Sequence, residues 1–554
     1  MASLCLLSAH TDANVEQIVS IAADINGDGI IHFPSDEKKT IPADLSAAEK
    51  PFLFWLNDDQ DNIALYESWP HDEPDLSNET IGSPRDMEDF ARLHVKLGGT
   101  IDTQSEFLEF AFLATSGVPE IQLWLSEDKE GRRGYVLDES MALAQIESAS
   151  QSLGKVSPEK TLRIPIDSQL LQRVHNDRLS FLFEGVSEGQ GALTVRIISN
   201  NGDPQIASSP LYIGLRPIKT FYERIGIDWP KDIKAPWKYK FSQPPQPNLI
   251  WKAEEMEHPF RRPWYEDHNV IVWVHGWIPQ DDENYRRTLV FSFETMLKRL
   301  WHQGYRGRIV HFRWPTLKKR NFIGMQESEY RAYKSALVLV NYVNNLPKDK
   351  RVHTTAHSLG GSLLMEAVKL GLDSESAVFQ VSAVPAESLD KRESLRLSEK
   401  MKGSDQALDV SFSGYAEASK TRIYNLYNPK DFTWFGWNLI QNVAKPFQSW
   451  THRYIIREHA EPSRQVKLKS WLFFSRPVLD HHEIMALAVS ANSQALGGEG
   501  RVQGAVDASY NINLPPYNFE TDHVAMWRWN PQKVMPYFNL LLDSFNLPYN
   551  SLEP

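Results

Sequence analysis

The sequence predicts an α/β fold class: a doubly wound, mostly parallel sheet in the C-terminal half, preceded by an antiparallel β-sandwich-like region. Between residues 268 and 357, three apolar runs of strand length alternate with helical stretches. Strands buried on both faces of a parallel sheet read as such continuous apolar runs. Residues 105–215 instead alternate with period 2 between Gly, Asn, Asp and Ser clusters, which is typical of short antiparallel strands.

The chain of 554 residues is too long for a single core. Composition shifts divide it into an acidic β-rich region, a sandwich-like region, a Pro- and Trp-rich linker and a catalytic domain that carries two insertions. In the same order, the expected ranges are 1–110, 111–216, 217–265 and 266–554, with the insertions at 387–421 and 432–520.

The overall charge and the cysteine content exclude several classes of protein. A formal net charge of −12 argues against a nucleic-acid binder, which needs a clustered basic surface. Cys5 is the only cysteine, so no internal disulfide and no thiolate metal site can form. We find no Sec signal and no apolar run of about 18 residues. These features predict a soluble or peripheral protein, either cytoplasmic or exported by a signal-independent route.

The front of the chain carries clustered oxygen donors. Asp24, Asn26 and Asp28 stand at alternate positions in DINGDG, a spacing that can converge on calcium. Ser35 stands where an EF-hand requires a bidentate Glu, so the loop is not an EF-hand. Further acids follow in FWLNDDQD and RDMEDFARL. Carboxylates this dense repel one another unless cations lie between them.

Together these three stretches resemble the calcium-binding middle domain of peptidylarginine deiminases, over roughly residues 15–110. The resemblance implies a structural calcium site with the following candidate ligands: Asp24, Asn26, Asp28, Asn57, Asp59, Asp61, Asp86 and Asp89. The deiminase catalytic domain is not recognisable, so no arginine chemistry is carried over. The alternative is a set of solvated acidic turns that cap strands.

Residues 354–362, TTAHSLGGS, read as a buried strand that stops at a serine before a helix. In this context the serine lies on a sharp turn with its hydroxyl exposed at the top of a sheet. Ser358 is therefore the candidate nucleophile. His275 precedes the glycine of the HG turn, and we expect it to brace that loop rather than to act as a base. His357 precedes Ser358, and we expect it to point into the turn rather than toward the substrate.

The ordered series VHGW, HFRWPT, EYRAYKSA and AHSLGG resembles the α/β-hydrolase superfamily, in particular bacterial members and lipases, over roughly residues 265–545. One position departs from the family pattern: Ala356 replaces the first glycine of GxSxG, which narrows the room at the turn. The resemblance implies a serine hydrolase without an organic cofactor.

In this fold the triad follows the chain order Ser, Asp or Glu, then His. Asp431 lies in an Asn-Pro-Lys-Asp turn after a predicted strand, and it is favoured over Asp409 and Asp480 as the acid. His523 lies in a loop before a helix, and it is favoured as the base over the tandem pair His481 and His482. The backbone N–H groups of Leu359 and Trp277 are the candidate oxyanion donors.

The expected function is hydrolysis of carboxylic esters, as in a lipase or esterase and possibly a phospholipase, through an acyl-enzyme. Aromatic residues of the segment 432–450 suit an acyl pocket or a peripheral contact with a membrane, among them Trp434, Phe435, Trp437, Phe447 and Trp450. Core packing of that segment explains them equally well. The alternative function is a calcium-dependent binding or adhesion protein with a weakly active or inactive hydrolase-like module. The sequence leaves the choice among phospholipid, neutral ester and peptide open.

Overall fold

The structure, a computed structural model, describes the following residues of the chain: 19–33, 44–57, 81, 83–98, 106–148, 152–199, 204–227, 251–253, 268–278, 283–316, 322–384, 421–431, 509–513 and 522–550. The described residues up to Pro217 form one compact unit, and those from Ile218 onward form a second.

The first unit is built on one sheet, in which nine strands are described. Its strands are β1 (Val19–Ala23), β2 (Phe52–Trp55), β3 (Ala91–Leu97), β4 (Glu106–Leu125), β5 (Gly154–Val156), β6 (Leu162–Pro165), β7 (Arg178–Ser199), β8 (Pro204–Ala207) and β9 (Leu211–Arg216). Its helices are α1 (Gly134–Leu137), α2 (Glu139–Ser148), α3 (Ser168–Leu171) and a 3₁₀ turn at Asp86–Asp89.

The strands of this sheet follow the order β1-β3-β7-β4-β5, while β6 pairs with β4, β8 and β9 pair with β7, and β2 pairs with β9. Within the described sheet all these pairs are antiparallel except β2 with β9. Antiparallel pairing agrees with the alternating pattern of the sequence. The sandwich arrangement stays a prediction.

The expected boundary between residues 110 and 111 does not divide this unit. β4 runs through it, and both β3 from the first region and β4 pair with β7. Alternation of polar and apolar residues identifies strands, but it carries no information on which strands pair across the chain. The two predicted N-terminal regions therefore share a single sheet.

The second unit contains the other sheet, in which eight strands are described. Its strands are β10 (Glu223–Ile227), β11 (Trp251–Ala253), β12 (Asn269–Val274), β13 (Arg308–Arg313), β14 (Arg351–His357), β15 (Ser376–Gln380), β16 (Arg422–Tyr427) and β17 (Ser509–Asn513). Its helices are α4 (Glu283–His302), α5 (Phe322–Asn344), α6 (Gly360–Lys369), α7 (Ala525–Arg528), α8 (Pro531–Ser544) and a 3₁₀ turn at Ile218–Phe221.

The strand order is β11-β10-β13-β12-β14-β15-β16-β17, and among the described strands only the pairing of β10 with β11 is antiparallel. Strands and helices alternate from β12 to α6 as the sequence predicts, so the α/β class is confirmed. The doubly wound arrangement stays a prediction. None of the helices described is both long and apolar enough to cross a membrane.

The expected linker 217–265 contributes to this sheet, which corrects its description as a connecting segment. β10 and β11 lie within that range and form one edge of the sheet. Both strands are short and lie between proline-rich stretches, and the overall proline density obscured them. Likewise, β17 lies inside the range 432–520 that we treated as an insertion.

The strand β12 lies between β13 and β14 in the interior of the sheet, and its residues 270–274 are fully buried. Because β12, β13, β14, β15 and β16 are parallel, their carboxyl ends meet at one edge. Open α/β sheets bind ligands outside this edge. The chain positions that follow these strand ends include His275, Ser358 and Asp431.

Ile271→Ala tests how much the central strand β12 contributes to the stability of the fold. Ile271 is fully buried, so its truncation should lower the free energy of unfolding by about 2–5 kcal/mol. Leu337→Ala on α5 is the matched control, because Leu337 is 45% exposed and its truncation should change stability by about 0.5 kcal/mol or less. Urea unfolding of both variants, followed by tryptophan fluorescence, makes the comparison. Equal losses would contradict a core centred on β12.

His311 of β13 is a buried histidine in an apolar setting. Its ring stacks on Phe293 at 4.5 Å and lies 5.1 Å from the ring of Trp273, measured between centroids. Among the described residues, neither ring nitrogen of His311 has a hydrogen-bond partner. Burial, with smaller contributions from His275 and Arg313, holds the pKa of His311 well below its usual value. The ring is therefore neutral in the folded protein.

His311→Phe should make the protein less sensitive to acid. An unfolded chain protonates this histidine below about pH 6.5 while the folded chain does not, so the wild type loses stability as the pH falls through that value. The stability of the variant relative to the wild type should rise by about 2 kcal/mol from pH 8 to pH 5. Unfolding curves at the two pH values measure this difference. A constant difference would mean that His311 accepts a proton in the fold.

Candidate active site

The turn after β14 holds Ser358 in a conformation that side chains seldom adopt. β14 ends at His357 and α6 begins at Gly360, which leaves two residues for the reversal. Ser358 has φ of +51°, in the left-handed region where non-glycine residues are uncommon. Its N–H donates to the carbonyl of Gln380 at 3.0 Å, and its carbonyl accepts from the N–H of Ala383 at 2.9 Å. The end of β15 and the loop that follows it therefore hold the backbone of Ser358 in place.

Small residues around Ser358 allow the backbone segments to approach one another. A Cβ on Gly360 would lie 2.3 Å from the carbonyl oxygen of His275, and one on Gly361 would lie 2.4 Å from Oγ of Ser382. A Cβ on Gly276 would lie 3.0 Å from Cβ of Ser358. The loop after β12 thus passes directly beside the serine. The side chain of Ser358 is partly exposed while its chain neighbours are buried.

Asp431 and His523 are joined although 92 positions separate them. Asp431 follows β16 in a turn in which its N–H donates to the carbonyl of Asn428 at 3.3 Å. Its carboxyl is fully buried, and Oδ2 is hydrogen-bonded to Nδ1 of His523, whose side chain is 14% exposed. The ring of His523 lies 4.8 Å from that of His357, the residue before Ser358. The structure thus brings the three predicted triad residues to one edge of the sheet.

The two predicted oxyanion donors belong to different loops: Leu359 directly follows Ser358, and Trp277 lies in the loop after β12. Leu359 is buried, and within the described residues its N–H donates to no acceptor. Trp277 follows Gly276 in the loop that passes beside Ser358, and it is partly exposed. Both positions suit the predicted role, which stays a prediction.

His275 braces the loop after β12, as the sequence predicts. Its Nδ1 is 2.7 Å from the carbonyl of Gly276, and its Nε2 accepts from the N–H of Trp314 at 3.2 Å. The indole N–H of Trp314 donates to the carbonyl of His275 at 2.8 Å. Burial lowers the pKa of His275 to about 3, so the ring is neutral and Nδ1 carries its hydrogen. His275 is a structural residue.

The segment that carries His523 is held by residues that sequence reasoning missed. Oδ1 of Asp522 accepts from the N–H of Val524 at 3.0 Å, and Oδ2 accepts from the indole N–H of Trp529 at 3.1 Å. Arg299 of α4, fully buried, donates to the carbonyls of Met526 and Trp529. Asp522 directly precedes His523 in the sequence ETDHV, so its position next to the candidate base is a signal that the sequence offers. Arg299 precedes Met526 by 227 positions, and no sequence signal links them.

Asp409, Asp480, His481 and His482 lie outside the described residues, as do most of the two predicted insertions and all the aromatic residues of 432–450.

The side-chain oxygens of Asp24 and Asn26 in the DINGDG turn accept hydrogen bonds from other groups of the protein. Asp24 accepts from the N–H groups of Gly27 and Gly29 at 2.9 and 3.1 Å, and its Oδ2 forms an ion pair with Arg92 at 2.8 Å. Oδ1 of Asn26 accepts from the N–H of Asp28 at 2.9 Å, within the same turn. The guanidinium of Arg92 already compensates the negative charge of the Asp24 carboxylate, which a bound cation would otherwise compensate.

Three other candidate calcium ligands have hydrogen-bond partners within the protein. Asp86 accepts from the N–H of Ser83 at 2.9 Å, Asp89 accepts from the indole of Trp55 at 2.7 Å, and Asn57 donates to Glu184 at 3.0 Å. Asp59 and Asp61 lie outside the described residues. In the part of the chain that the structure describes, no group of three or more His, Cys, Asp or Glu side chains is placed to hold a metal ion.

Comparison with known proteins agrees with the fold of the second unit. Residues 253–387 match a family model described as an alpha/beta hydrolase of unknown function (DUF900). This range contains β12 to β15 and Ser358. Among curated proteins, none matches the sequence.

Two solved structures are similar to parts of the chain. An esterase of Pyrococcus furiosus is 12% identical with a TM-score of 0.18, over 33% of this chain and 65% of its own. An acylaminoacyl peptidase of Pyrococcus horikoshii is 11% identical with a TM-score of 0.27, over 66% of this chain and 49% of its own. The chain thus spans less than two thirds of either protein. The family-model match supports an alpha/beta-hydrolase fold for residues 253–387, which carry the strand–serine–helix turn of the mostly parallel sheet.

Proposed function

We propose that the protein is a serine hydrolase that cleaves carboxylic esters through an acyl-enzyme, with Ser358 as nucleophile, His523 as base and Asp431 as the acid that orients the base. The hydrogen bond between Nδ1 of His523 and the buried carboxyl of Asp431, formed beside the strained turn at Ser358, carries this proposal. A nucleophilic serine needs both a base and a group that orients the base.

The protonation pattern follows from the partners. An ionised carboxylate only accepts hydrogen bonds, so Asp431 requires the hydrogen of neutral His523 to be on Nδ1. The lone pair of the ring is then on Nε2, the atom that removes the proton of Ser358 in the proposed reaction. Asp431 also stabilises the imidazolium that forms when that proton arrives.

In the proposed reaction, Oγ of Ser358 attacks the ester carbonyl while Nε2 of His523 takes the hydroxyl proton. The tetrahedral oxyanion is stabilised by the N–H groups of Leu359 and Trp277, and each such donor is worth about 3–4 kcal/mol in the transition state. The C–O bond to the alcohol then breaks and His523 returns the proton to the departing oxygen. Water, activated by the same histidine, hydrolyses the acyl-enzyme and regenerates Ser358.

The substrate class within esters belongs to the same proposal. Lipase or phospholipase activity, with a peripheral contact between residues 432–450 and lipid, is supported by the aromatic composition of that segment. Assays with esters of increasing acyl length, with phospholipid vesicles and with a peptide substrate distinguish lipid, soluble ester and peptide hydrolysis.

Ser358→Ala should lower kcat/KM for p-nitrophenyl ester hydrolysis by about 10³-fold or more, because the nucleophile is lost while substrate binding remains. Ser374→Ala is the matched control. Ser374 is buried, and its hydroxyl donates to the carbonyl of Val352, near the start of β14 and away from the serine turn. The control should retain the activity of the wild type. Unchanged hydrolysis by Ser358→Ala would exclude the proposed mechanism.

For the first unit, a structural calcium ion is a separate proposal. It is supported by the resemblance of residues 15–110 to the calcium-binding middle domain of peptidylarginine deiminases. Asp59 and Asp61 are the candidate ligands on which the proposal chiefly depends. The ion pair between Arg92 and Asp24 weighs against Asp24 as a ligand. Calcium takes no part in the proposed hydrolysis.

Calcium should raise the melting temperature of the wild type relative to chelator, because a ligand that binds only the folded state stabilises it by about 2.7 kcal/mol at 100 times Kd. The double variant Asp59→Asn/Asp61→Asn should lose this shift. Asp373→Asn, which removes an exposed carboxylate of the second unit, should keep it. Differential scanning fluorimetry gives the three values. A wild type that does not respond to calcium would rule the ion out.

A further inference from the structure

His357, the residue before the proposed nucleophile, contacts the residue proposed as the base. Its Nε2 lies 3.1 Å from the backbone carbonyl oxygen of His523. Its ring packs edge-on against Trp527 at 4.4 Å and lies 4.8 Å from the ring of His523, between centroids. His357 is buried. It therefore touches the segment 522–530 through one hydrogen bond and two ring contacts.

The direction of the hydrogen bond is determined by the partner. A carbonyl oxygen only accepts, so Nε2 of His357 must carry the hydrogen. Burial and the neighbouring His523 hold the pKa of His357 well below its usual value, so the ring is neutral. His357 thus holds the backbone of His523 without placing a positive charge beside the base.

The connection has a geometric consequence. Ser358 follows His357 directly at the end of β14, and its backbone is fastened by Gln380 and Ala383. Arg299 of α4 holds the backbone of the segment 522–530 at Met526 and Trp529, and Asp431 bonds the ring of His523. The bond from His357 is made to the backbone of His523 itself. The strand end that presents the nucleophile therefore also holds the backbone of the base.

We infer that His357 is a positioning residue, whose Nε2–H sets the distance between Ser358 and His523 by holding the His523 backbone to the end of β14. This inference rests on the proposed function. A displacement of about 1 Å between reacting groups can cost about 10²-fold in rate. Loss of the donor should therefore lower kcat while the ester still binds.

The test compares two side chains of similar shape. His357→Met fills the space without a donor, and His357→Gln has an amide N–H near the position of Nε2. We expect kcat for ester hydrolysis to fall by about 10- to 100-fold in His357→Met with KM nearly unchanged, and to recover to within about 5-fold of the wild type in His357→Gln. The acid limb of the pH–kcat profile should move in His357→Met and not in His357→Gln.

His353 provides the matched control on the same strand. It is fully buried, and its ring nitrogens contact Oγ of Ser376 at 2.9 Å and Oδ1 of Asn269 at 3.4 Å, away from His523. His353→Met should lower the melting temperature and leave kcat and the pH profile unchanged. A fall in kcat of equal size in both Met variants would overturn the positioning role, because it would reflect a general loss of structure.

A readout independent of activity separates this inference from the proposed function. In protein labelled with ¹⁵N-histidine, the proton on Nδ1 of His523 that faces Asp431 should shift or broaden in His357→Met and not in His353→Met. If Ser358→Ala were to keep its activity, the proposed function would fail, yet this resonance would still show whether His357 holds the pair. An unchanged resonance together with wild-type kcat in His357→Met would overturn the inference.

If His357→Met does not fold, His357→Asn replaces it in the comparison. Its amide is one methylene shorter than that of His357→Gln and does not reach the carbonyl of His523. A lower kcat in His357→Asn than in His357→Gln would support the positioning role of His357. Equal kcat values in the two variants would contradict it.

Discussion

The left-handed backbone at Ser358 is the constraint on which the candidate site depends. A non-glycine residue with φ of +51° costs about 1–3 kcal/mol and persists only where the surroundings enforce it. Here the enforcement comes from two neighbouring strand ends. The loop after β15 hydrogen-bonds the backbone of Ser358, and the loop after β12 passes against its side chain. A Cβ at residue 360 or 361 would clash with these neighbours at 2.3 or 2.4 Å, and one at residue 276 would be crowded at 3.0 Å, which explains the glycines at these positions.

Buried neutral histidines form a second layer behind this turn. His275 holds the loop after β12, His357 holds the His523 segment, and His311 packs between aromatic rings. A neutral imidazole both donates and accepts in the plane of its ring, so it joins backbone groups in a dry interior where a charged side chain would be too costly. The same property makes the second unit sensitive to acid, because each such ring gains a proton on unfolding.

The residues of the proposed triad and the segments expected to select a substrate are separate in the chain. Ser358 and Asp431 follow parallel strands, and His523 precedes the helix α7, so all three are held by regular structure. The stretches expected to shape specificity are the insertions between β15 and β16 and between Asp431 and β17. This division is physically reasonable, since loops tolerate change in length and chemistry that the sheet does not.

What the sequence determined by itself was local. Apolar runs identified β12, β13 and β14, the small residues around Ser358 identified the turn, and chain order selected Asp431 and His523. Only the tertiary structure showed that β4 unites the two N-terminal regions, that β10 and β11 extend the sheet of the second unit, and that Arg299 and His357 hydrogen-bond the segment that carries His523. The physical reason is that periodicity and turn chemistry depend on neighbouring residues, whereas strand pairing and contacts between residues hundreds of positions apart depend on how the whole chain packs.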